Sequence, residues 1–308
     1  MIPPPSDFLV LDAAPLAAVV LAAFTLALLG SFLVLQRQAM IGDAMAHSVL
    51  PGLVIAFVIT GSRAPAPMFM GALGAALFAS LAIAALTRYA RVEPTAAIGV
   101  VFTTLFALGV LLVETTGARN VDLDLDCVLS GQLELLFWPI ERGASPWSGE
   151  SLDRLPQPLL TLATMWAMSV GAVLFGWRLL RATLFDRPFT QARGLRPGLV
   201  RGALLLLTTS TVVASFEALG SILVIALLTC PPAAARLLTR TLGAYVALSA
   251  VLGASAGLLG YAFATRGAPI LIGGTIDASG SVAAAAGLIL AATAMVTVLR
   301  RPVASPTG

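Results

Sequence analysis

Residues 12–35 read DAAPLAAVVLAAFTLALLGSFLVL, an apolar run whose length decides the fold. About 20 such residues in a helix cross the ~30 Å hydrocarbon core of a bilayer. Similar runs recur along the 308 residues, of which 58% are hydrophobic and only 11% charged, with a mean hydropathy of +0.97. A soluble domain of this size carries about a quarter charged residues. The chain is therefore a membrane protein.

Nine apolar runs predict the membrane-spanning helices. They lie near 12–35, 42–60, 66–87, 96–114, 158–180, 201–216, 218–236, 242–264 and 280–299. Only Glu217 separates the sixth run from the seventh, so these are either two spans joined by a very tight turn, or one span and a re-entrant helix. A shorter segment, 127–140, is too brief to cross alone. We expect one all-α domain, a polytopic transmembrane helical bundle of about eight spans plus re-entrant or interfacial short helices.

The cationic residues are all arginines, and they predict the orientation of the chain. If the N-terminus is outside and the spans alternate, 13 of the 18 arginines face the cytoplasm and five face out, in line with the positive-inside rule. We therefore expect a multi-pass protein of the bacterial inner (plasma) membrane with a cytoplasmic C-terminus. The N-terminus lacks the basic stretch of a cleaved signal peptide, so the first run is expected to be retained. Arginines at helix ends account for the sequence pI of about 9.4, and no nucleic-acid partner is expected.

The long connection 115–157, predicted outside, is acidic. Its carboxylates are Asp122, Asp124, Asp126, Glu134, Glu141, Glu150 and Asp153. It is either an ordinary solvated loop, or a docking surface or field that concentrates cations at the outer mouth. Cys127 and Cys230 lie about a hundred positions apart without any partner spacing, so neither a disulfide nor a structural zinc site is expected.

The most informative residues lie in the second run, where residues 40–52 read MIGDAMAHSVLPG. Asp43 and His47 are four positions apart, so on a helix they project from one face, one turn apart. His47 is the only histidine in the chain. A carboxylate at the centre of a membrane span costs about 3 kcal/mol unless it is paired or lines a polar cavity, which marks such a residue as a functional candidate.

Two interpretations of this pair remain open. In one, Asp43 caps the helix and His47 binds a backbone carbonyl. In the other, the carboxylate and a neutral imidazole bind Mn²⁺, Zn²⁺ or Fe²⁺, whereas Ca²⁺ and Mg²⁺ prefer sites built of oxygens. Two ligands from one chain make a weak site, but a symmetric dimer with this span at its axis would supply four.

Glycines and prolines predict interruptions of the helices. The expected helix breaks are Gly42, Pro51, Gly52, Pro231 and Pro232. A helix bent or ended at Pro51 and Gly52 is typical of one that lines a transport pathway. Small residues at 253–260 predict a close-packing face, with dimerisation as one use. Glu217 is a second candidate for lining the pathway, although a carboxylate near the outer end of its span requires no special role.

The stretch 181–200 is the longest predicted cytoplasmic loop and carries four arginines. Pro188 can begin a short helix and Gly194 can end it, which leaves residues 189–193 as a surface helix suited to a groove on another protein. The alternative is an ordinary basic loop that orients the chain. The sequence contains no GxxxxGK(S/T) phosphate loop, so the energy for transport comes from a partner subunit or an ion gradient.

Four segments carry a family likeness, and they keep the family's order along the chain. They are GDAMAHSVLPG at 42–52, EPTAAIGVVF at 93–102, FDRPFTQARGL at 185–195 and EALGSILVIALLTCPPAAARLL at 217–238. Together they resemble the membrane permeases of the manganese/zinc/iron-chelate ABC importers. The chain departs from that family at 277–280, where DASG lacks the usual proline after the aspartate, and at Cys230 and Pro232. The absence of a histidine-rich loop favours manganese or iron over zinc.

The resemblance implies an importer permease that translocates a divalent transition metal (Mn, Zn or Fe), with Asp43 and His47 contacting the ion. It implies a homodimer in membrane lipid, two cytoplasmic ATP-binding-cassette ATPase subunits that bind the ATP, and a periplasmic metal-binding protein. The chain itself would be no enzyme and hold no permanent cofactor. The residues expected to couple to the ATPase are Phe189, Gln191, Ala192, Arg193, Gly194 and Leu195. The alternative is a proton-coupled secondary transporter of a metal or small solute that uses Asp43 and His47 as a relay.

Overall fold

The fold is an all-α membrane bundle. The computed structural model describes residues 12–36, 38, 40–62, 64–116, 131, 133, 136, 138, 154–185, 197–271, 274 and 276–299. Regular structure in these ranges is helical throughout, which confirms the expected polytopic helical bundle.

The described residues form nine α-helices, numbered here in chain order. They are α1 (Ala13–Leu35), α2 (Ile41–Thr60), α3 (Pro65–Arg88), α4 (Pro94–Thr116), α5 (Gln157–Phe185), α6 (Pro197–Leu238), α7 (Leu242–Ala262), α8 (Ala268–Leu271) and α9 (Ala278–Leu299). A π-helical segment, Phe263–Gly267, joins α7 to α8 without interruption.

Within the described ranges, nine helical segments are long and apolar enough to cross a membrane. Two of them are the halves of α6, here called its first arm (Pro197–Phe216) and its second arm (Ala218–Leu238), and one runs from α7 through α8. These nine correspond to the nine apolar runs, one more than the eight or so complete spans expected, because both arms of α6 reach spanning length. Of the segment 127–140, only four residues are described.

Several helix ends follow the expected local chemistry. Proline is the first residue of α3, α4 and α6, where its missing N–H group would have no partner in the helix anyway. Gly61 ends α2 in the left-handed conformation (φ 61°) and donates its N–H to the carbonyl of Phe57, which is the usual chemistry of a helix C-terminus.

The predicted breaks in α2 were wrong. The helix runs without interruption from Ile41 to Thr60 through Gly42, Pro51 and Gly52. The neighbouring helices make room for these residues: a Cβ on Gly109 of α4 would lie 2.8 Å from Cδ of Pro51, and a Cβ on Gly52 would overlap the carbonyl oxygen of Gly71 in α3. Tight packing of neighbouring helices therefore keeps α2 helical despite its proline.

The predicted breaks in α6 were also misplaced. The helix continues through Pro231 and Pro232 to Leu238. Its one non-helical residue in the described structure is Gly220, with φ 74° and ψ 167°, a conformation open essentially to glycine alone. The conformational freedom of a glycine, rather than the missing N–H of a proline, therefore divides α6.

The small-residue face on α7 packs within the chain. A Cβ on Gly253 would lie 2.5 Å from the carbonyl oxygen of Ala23 in α1, and one on Gly257 would lie 3.0 Å from Cγ1 of Val19. A Cβ on Gly260 would overlap the backbone of Val282 in α9. The predicted close-packing face is thus confirmed, and it joins α7 to α1 and α9.

The described part of the 127–140 segment packs into the bundle beside the bend of α6. Leu133 and Leu136 are buried in the main apolar core. Gly131 (φ 77°) lies so close to the backbone of Leu219 and Gly220 that any Cβ on it would overlap them. The long 115–157 connection therefore touches α6 where that helix bends, and the seven acidic residues of the connection lie outside the described residues.

Candidate functional site

The candidate site lies at the beginning of α2. Asp43 is the third residue of the helix and His47 follows one turn later, so the spacing places both on one side of the helix, as expected. Met40 is the residue that precedes the helix, and no side chain caps it there. Asp43 is therefore inside the helix and is not its cap.

Asp43 and His47 are the two residues in this part of α2 that are only half-buried. Of the twelve positions from 41 to 52, ten are buried, and the two exceptions are Asp43 and His47. This part of the helix is otherwise covered by its neighbours, and the two side chains that can bind a cation remain partly exposed. Such a face is available to a passing ion or to a second copy of the chain.

Within the described residues, no hydrogen bond from the protein to the polar side-chain atoms of this pair is found. Oδ1 of Asp43 is buried and has no hydrogen-bond partner. Within the described structure the contacts of His47 are with aromatic rings, and no hydrogen bond from it to a backbone carbonyl is found. The interpretation of the pair as a cap and a satisfied core histidine is therefore not supported. A buried carboxylate oxygen without a partner is costly, which favours a ligand that completes it.

Two phenylalanines of α4 enclose the imidazole. The ring centroid of His47 lies 4.8 Å from that of Phe102 and 5.5 Å from that of Phe106, the second contact being edge-to-face. Neither phenyl ring competes for the lone pair of a ring nitrogen, so these contacts orient the imidazole and leave its nitrogens free. Sequence reasoning missed this pair, although its four-residue spacing within one apolar run is the available signal.

Both arms of α6 contact α2 on either side of Asp43. The hydroxyl of Thr209, in the first arm, donates to Sδ of Met45 at 3.3 Å. In the second arm, the side chain of Leu228 fills the space beside Gly42. Because Gly42 and Met45 are close neighbours of Asp43 in sequence, a movement of α6 would also move the part of α2 that carries Asp43.

The described residues of one copy do not form a complete metal site. Among the residues that the structure describes, no group of three or more His, Cys, Asp or Glu side chains could hold a metal ion. The other candidate residues cannot be placed in the same detail. Glu217 lies in α6, but its side chain is outside the described structure. The expected coupling residues are all outside the described residues: Phe189, Gln191, Ala192, Arg193, Gly194 and Leu195.

The fold is thus a polytopic helical membrane bundle with a half-buried acid and imidazole on one of its helices. The chain belongs to the ABC 3 transport family, whose family model matches residues 7–136 and 149–298. It is thus a membrane permease subunit, as the four segments indicated.

Relatives of known sequence and structure agree with this assignment. The chain is 36% identical over 250 residues to the manganese transport system membrane protein MntD of Bacillus subtilis, covering 81% of this chain and 82% of that protein. It is 31% identical over 233 residues to the zinc transport system membrane protein TroC of Treponema pallidum, covering 76% and 73%. The fold matches that of a chain in the structure of PsaBC from Streptococcus pneumoniae in complex with Fab, with a TM-score of 0.71, 22% identity, and coverage of 91% and 89%.

Proposed function

We propose that this permease passes a divalent transition metal ion into the cell, and that Asp43 and His47 contact the ion on its way. The observation that carries the proposal is the burial pattern of α2: ten of the twelve positions from 41 to 52 are buried, and the two half-buried exceptions are Asp43 and His47. Carboxylate and imidazole suit Mn²⁺, Zn²⁺ and Fe²⁺. The names of MntD and TroC, a manganese and a zinc transport protein, support the same cargo.

The working unit is a homodimer in which the two α2 helices face each other. A single copy offers two ligands, and no group of three ligating side chains is found in the part of the chain that the structure describes. Two copies related by a twofold axis would bring two carboxylates and two imidazoles to one ion. A site assembled across an interface also suits a transported ion, since separating the copies weakens the site and releases the ion.

Energy comes from two cytoplasmic ATP-binding-cassette subunits, and a periplasmic metal-binding protein delivers the ion. The chain belongs to the ABC 3 transport family, which supports an ATP-driven permease over the proton-coupled secondary transporter. The coupling segment 189–195 precedes α6 directly in sequence, and both arms of α6 contact α2. Force from the ATPases would therefore reach the ion site through one helix. In this arrangement the N-terminus is outside and the C-terminus is cytoplasmic.

Metal uptake by reconstituted vesicles tests the proposal. The vesicles hold the permease, its ATPase and the binding protein, and ATP-dependent uptake of Mn²⁺ and Zn²⁺ is compared between wild type, Asp43→Asn and His47→Ala. Both variants should lose most of the uptake while still assembling with the ATPase. Arg88→Gln, at the end of α3, serves as a control that changes a charge away from the site. Uptake at the wild-type rate in both site variants would exclude the pair as ion ligands.

A further inference from the structure

A cavity of about 640 Å³ opens at one end of the bundle, between the last turns of α5 and the start of α7. It is lined by Trp177, Arg181, Thr241, Leu242 and Gly243. A second cavity of about 360 Å³, between α5 and the first arm of α6, is lined only by glycine and apolar side chains. The larger cavity therefore differs from the second one because its lining combines apolar side chains with a positively charged arginine.

The cavity lies at the level where hydrocarbon gives way to lipid headgroups. The 29 residues of α5 form a helix about 44 Å long, which exceeds the ~30 Å hydrocarbon core. Trp177 and Arg181 are in its last two and a half turns. Tryptophan is enriched at this boundary, and an arginine places its apolar stem in the membrane and its guanidinium among the headgroups.

The charged side chain in the described lining of the cavity is positive. In the described structure Arg181 has no ion pair or hydrogen bond, and the described charged residues nearest to the lining in sequence are Arg178, Arg236 and Arg240. Thr241, the residue before α7, makes no side-chain hydrogen bond to cap that helix. The first amide groups of α7, beside Gly243, thus add a partial positive charge to that of the guanidinium.

We propose that this cavity binds the headgroup of an anionic phospholipid, with Arg181 pairing the phosphate and Trp177 contacting the glycerol region. A phospholipid joins a phosphate to apolar chains, which is the combination that the lining offers. Free phosphate would use the guanidinium and leave the apolar wall in contact with water. Basic pockets between membrane helices are known to hold anionic headgroups, and the planar guanidinium matches a phosphate better than an ammonium does. The site does not depend on the metal pathway.

Native mass spectrometry of the purified full-length protein tests this site by titration with phosphatidylglycerol or phosphatidylcholine. Wild type should bind one phosphatidylglycerol about fivefold more tightly than phosphatidylcholine. Arg181→Gln should remove this preference. The matched control is Arg178→Gln, which removes the same charge from the same helix but from a side chain that does not line the cavity, and it should keep the preference.

Two further variants keep the test decisive if Arg181→Gln folds poorly. Gly243→Leu keeps every charge and fills the cavity, so it should weaken phosphatidylglycerol binding, and Arg181→Lys should retain part of the preference. Equal binding of the two lipids by wild type would overturn the proposal, as would equal losses in Arg178→Gln and Arg181→Gln. So would displacement of the lipid by millimolar inorganic phosphate, which would identify a free-anion site, or by the partner ATPase, which would identify a protein-docking surface.

Discussion

The side chain of Leu228 occupies the space into which any side chain at Gly42 would project. Leu228 is buried, and on another side its backbone lies against Gly30 of α1, where a Cβ would overlap its carbonyl oxygen. The second arm of α6 is thereby held between α1 and the first turn of α2. Since Asp43 is the next residue after Gly42, the position of Asp43 depends on the position of α6.

Gly42→Ala should destabilise the protein through this contact. The new methyl group displaces Leu228, which has Gly30 behind it, at an expected cost of about 1–3 kcal/mol. Adding Leu228→Ala should restore the space, so the double variant should be more stable than the sum of the single effects by about 0.5–3 kcal/mol. Thermal unfolding of the purified variants measures both quantities.

The control for this cycle is Gly74→Ala in α3, where a Cβ meets nothing within 4 Å. It should be neutral or stabilising by up to about 1 kcal/mol, because alanine favours a helix over glycine. Simple additivity of Gly42→Ala and Leu228→Ala would show that the two residues do not share this space.

Gly220→Ala should lower the melting temperature more than alanine does at another glycine of the same helix. With φ 74° and ψ 167°, Gly220 is in a region that costs an alanine about 1–3 kcal/mol. Gly202, in the first arm, has no atom within 4 Å of a built Cβ, so Gly202→Ala is the matched comparison. Equal melting temperatures for the two variants would mean that α6 does not need the bend at Gly220.

Phe102→Leu should weaken the interaction of the permease with its ion without abolishing assembly. The substitution keeps an apolar side chain but removes the ring that lies 4.8 Å from His47. Such a ring contact contributes about 0.5–1.5 kcal/mol, so the metal concentration for half-maximal uptake should rise about two- to tenfold, while Phe102→Tyr should stay near wild type. Phe78→Leu on the exposed side of α3 controls for the loss of a phenyl ring. No change in that concentration for Phe102→Leu would remove its role in orienting His47.

Glu93 should contribute to stability near neutral pH and lose that contribution in acid. The backbone N–H of Ala96 donates to its Oε2 at 3.0 Å, and this bond, with those from Thr95, lowers the pKa of Glu93 below its ordinary value of 4.5. A carboxylate with a lowered folded-state pKa stabilises the fold above its unfolded pKa, and the effect fades as pH falls through the folded value. Wild type and Glu93→Ala should therefore differ in melting temperature near neutral pH, and the difference should shrink as pH falls through the lowered folded-state pKa of Glu93. A difference that persisted in acid would assign the effect to something other than this charge.

The spans and the acid–imidazole pair could be predicted because each depends on local sequence alone. An apolar run of sufficient length has one stable form in a bilayer, a helix, and four-residue spacing places Asp43 and His47 on one side of it wherever the helix lies. The small residues of α7 were likewise readable as a close-packing face, since glycine at such spacing lets a neighbouring backbone approach.

The helix breaks could not be predicted in the same way, because they depend on neighbouring helices. Pro51 remains inside α2 because Gly109 of α4 leaves space for its ring. The sequence of residues 40–52 does not indicate that a glycine of another helix lies there. Conversely, Gly220 is one of 28 glycines in the sequence, and only its backbone angles distinguish it. The phenylalanine contacts of His47 were missed for the same reason, since they join two helices that lie about fifty residues apart in the chain.

The contact of Gly131 with the bend at Gly220 has a consequence for how the protein is made. Gly131 emerges from the ribosome well before Gly220, and the bend exists only once both arms of α6 are in the bilayer. Gly131 therefore cannot reach its packed position while the first five helices are inserting, and it packs against α6 only afterwards. The biogenesis of this permease thus includes a late packing step, and arrest of translation before α6 is complete would leave Gly131 without its contact to that helix.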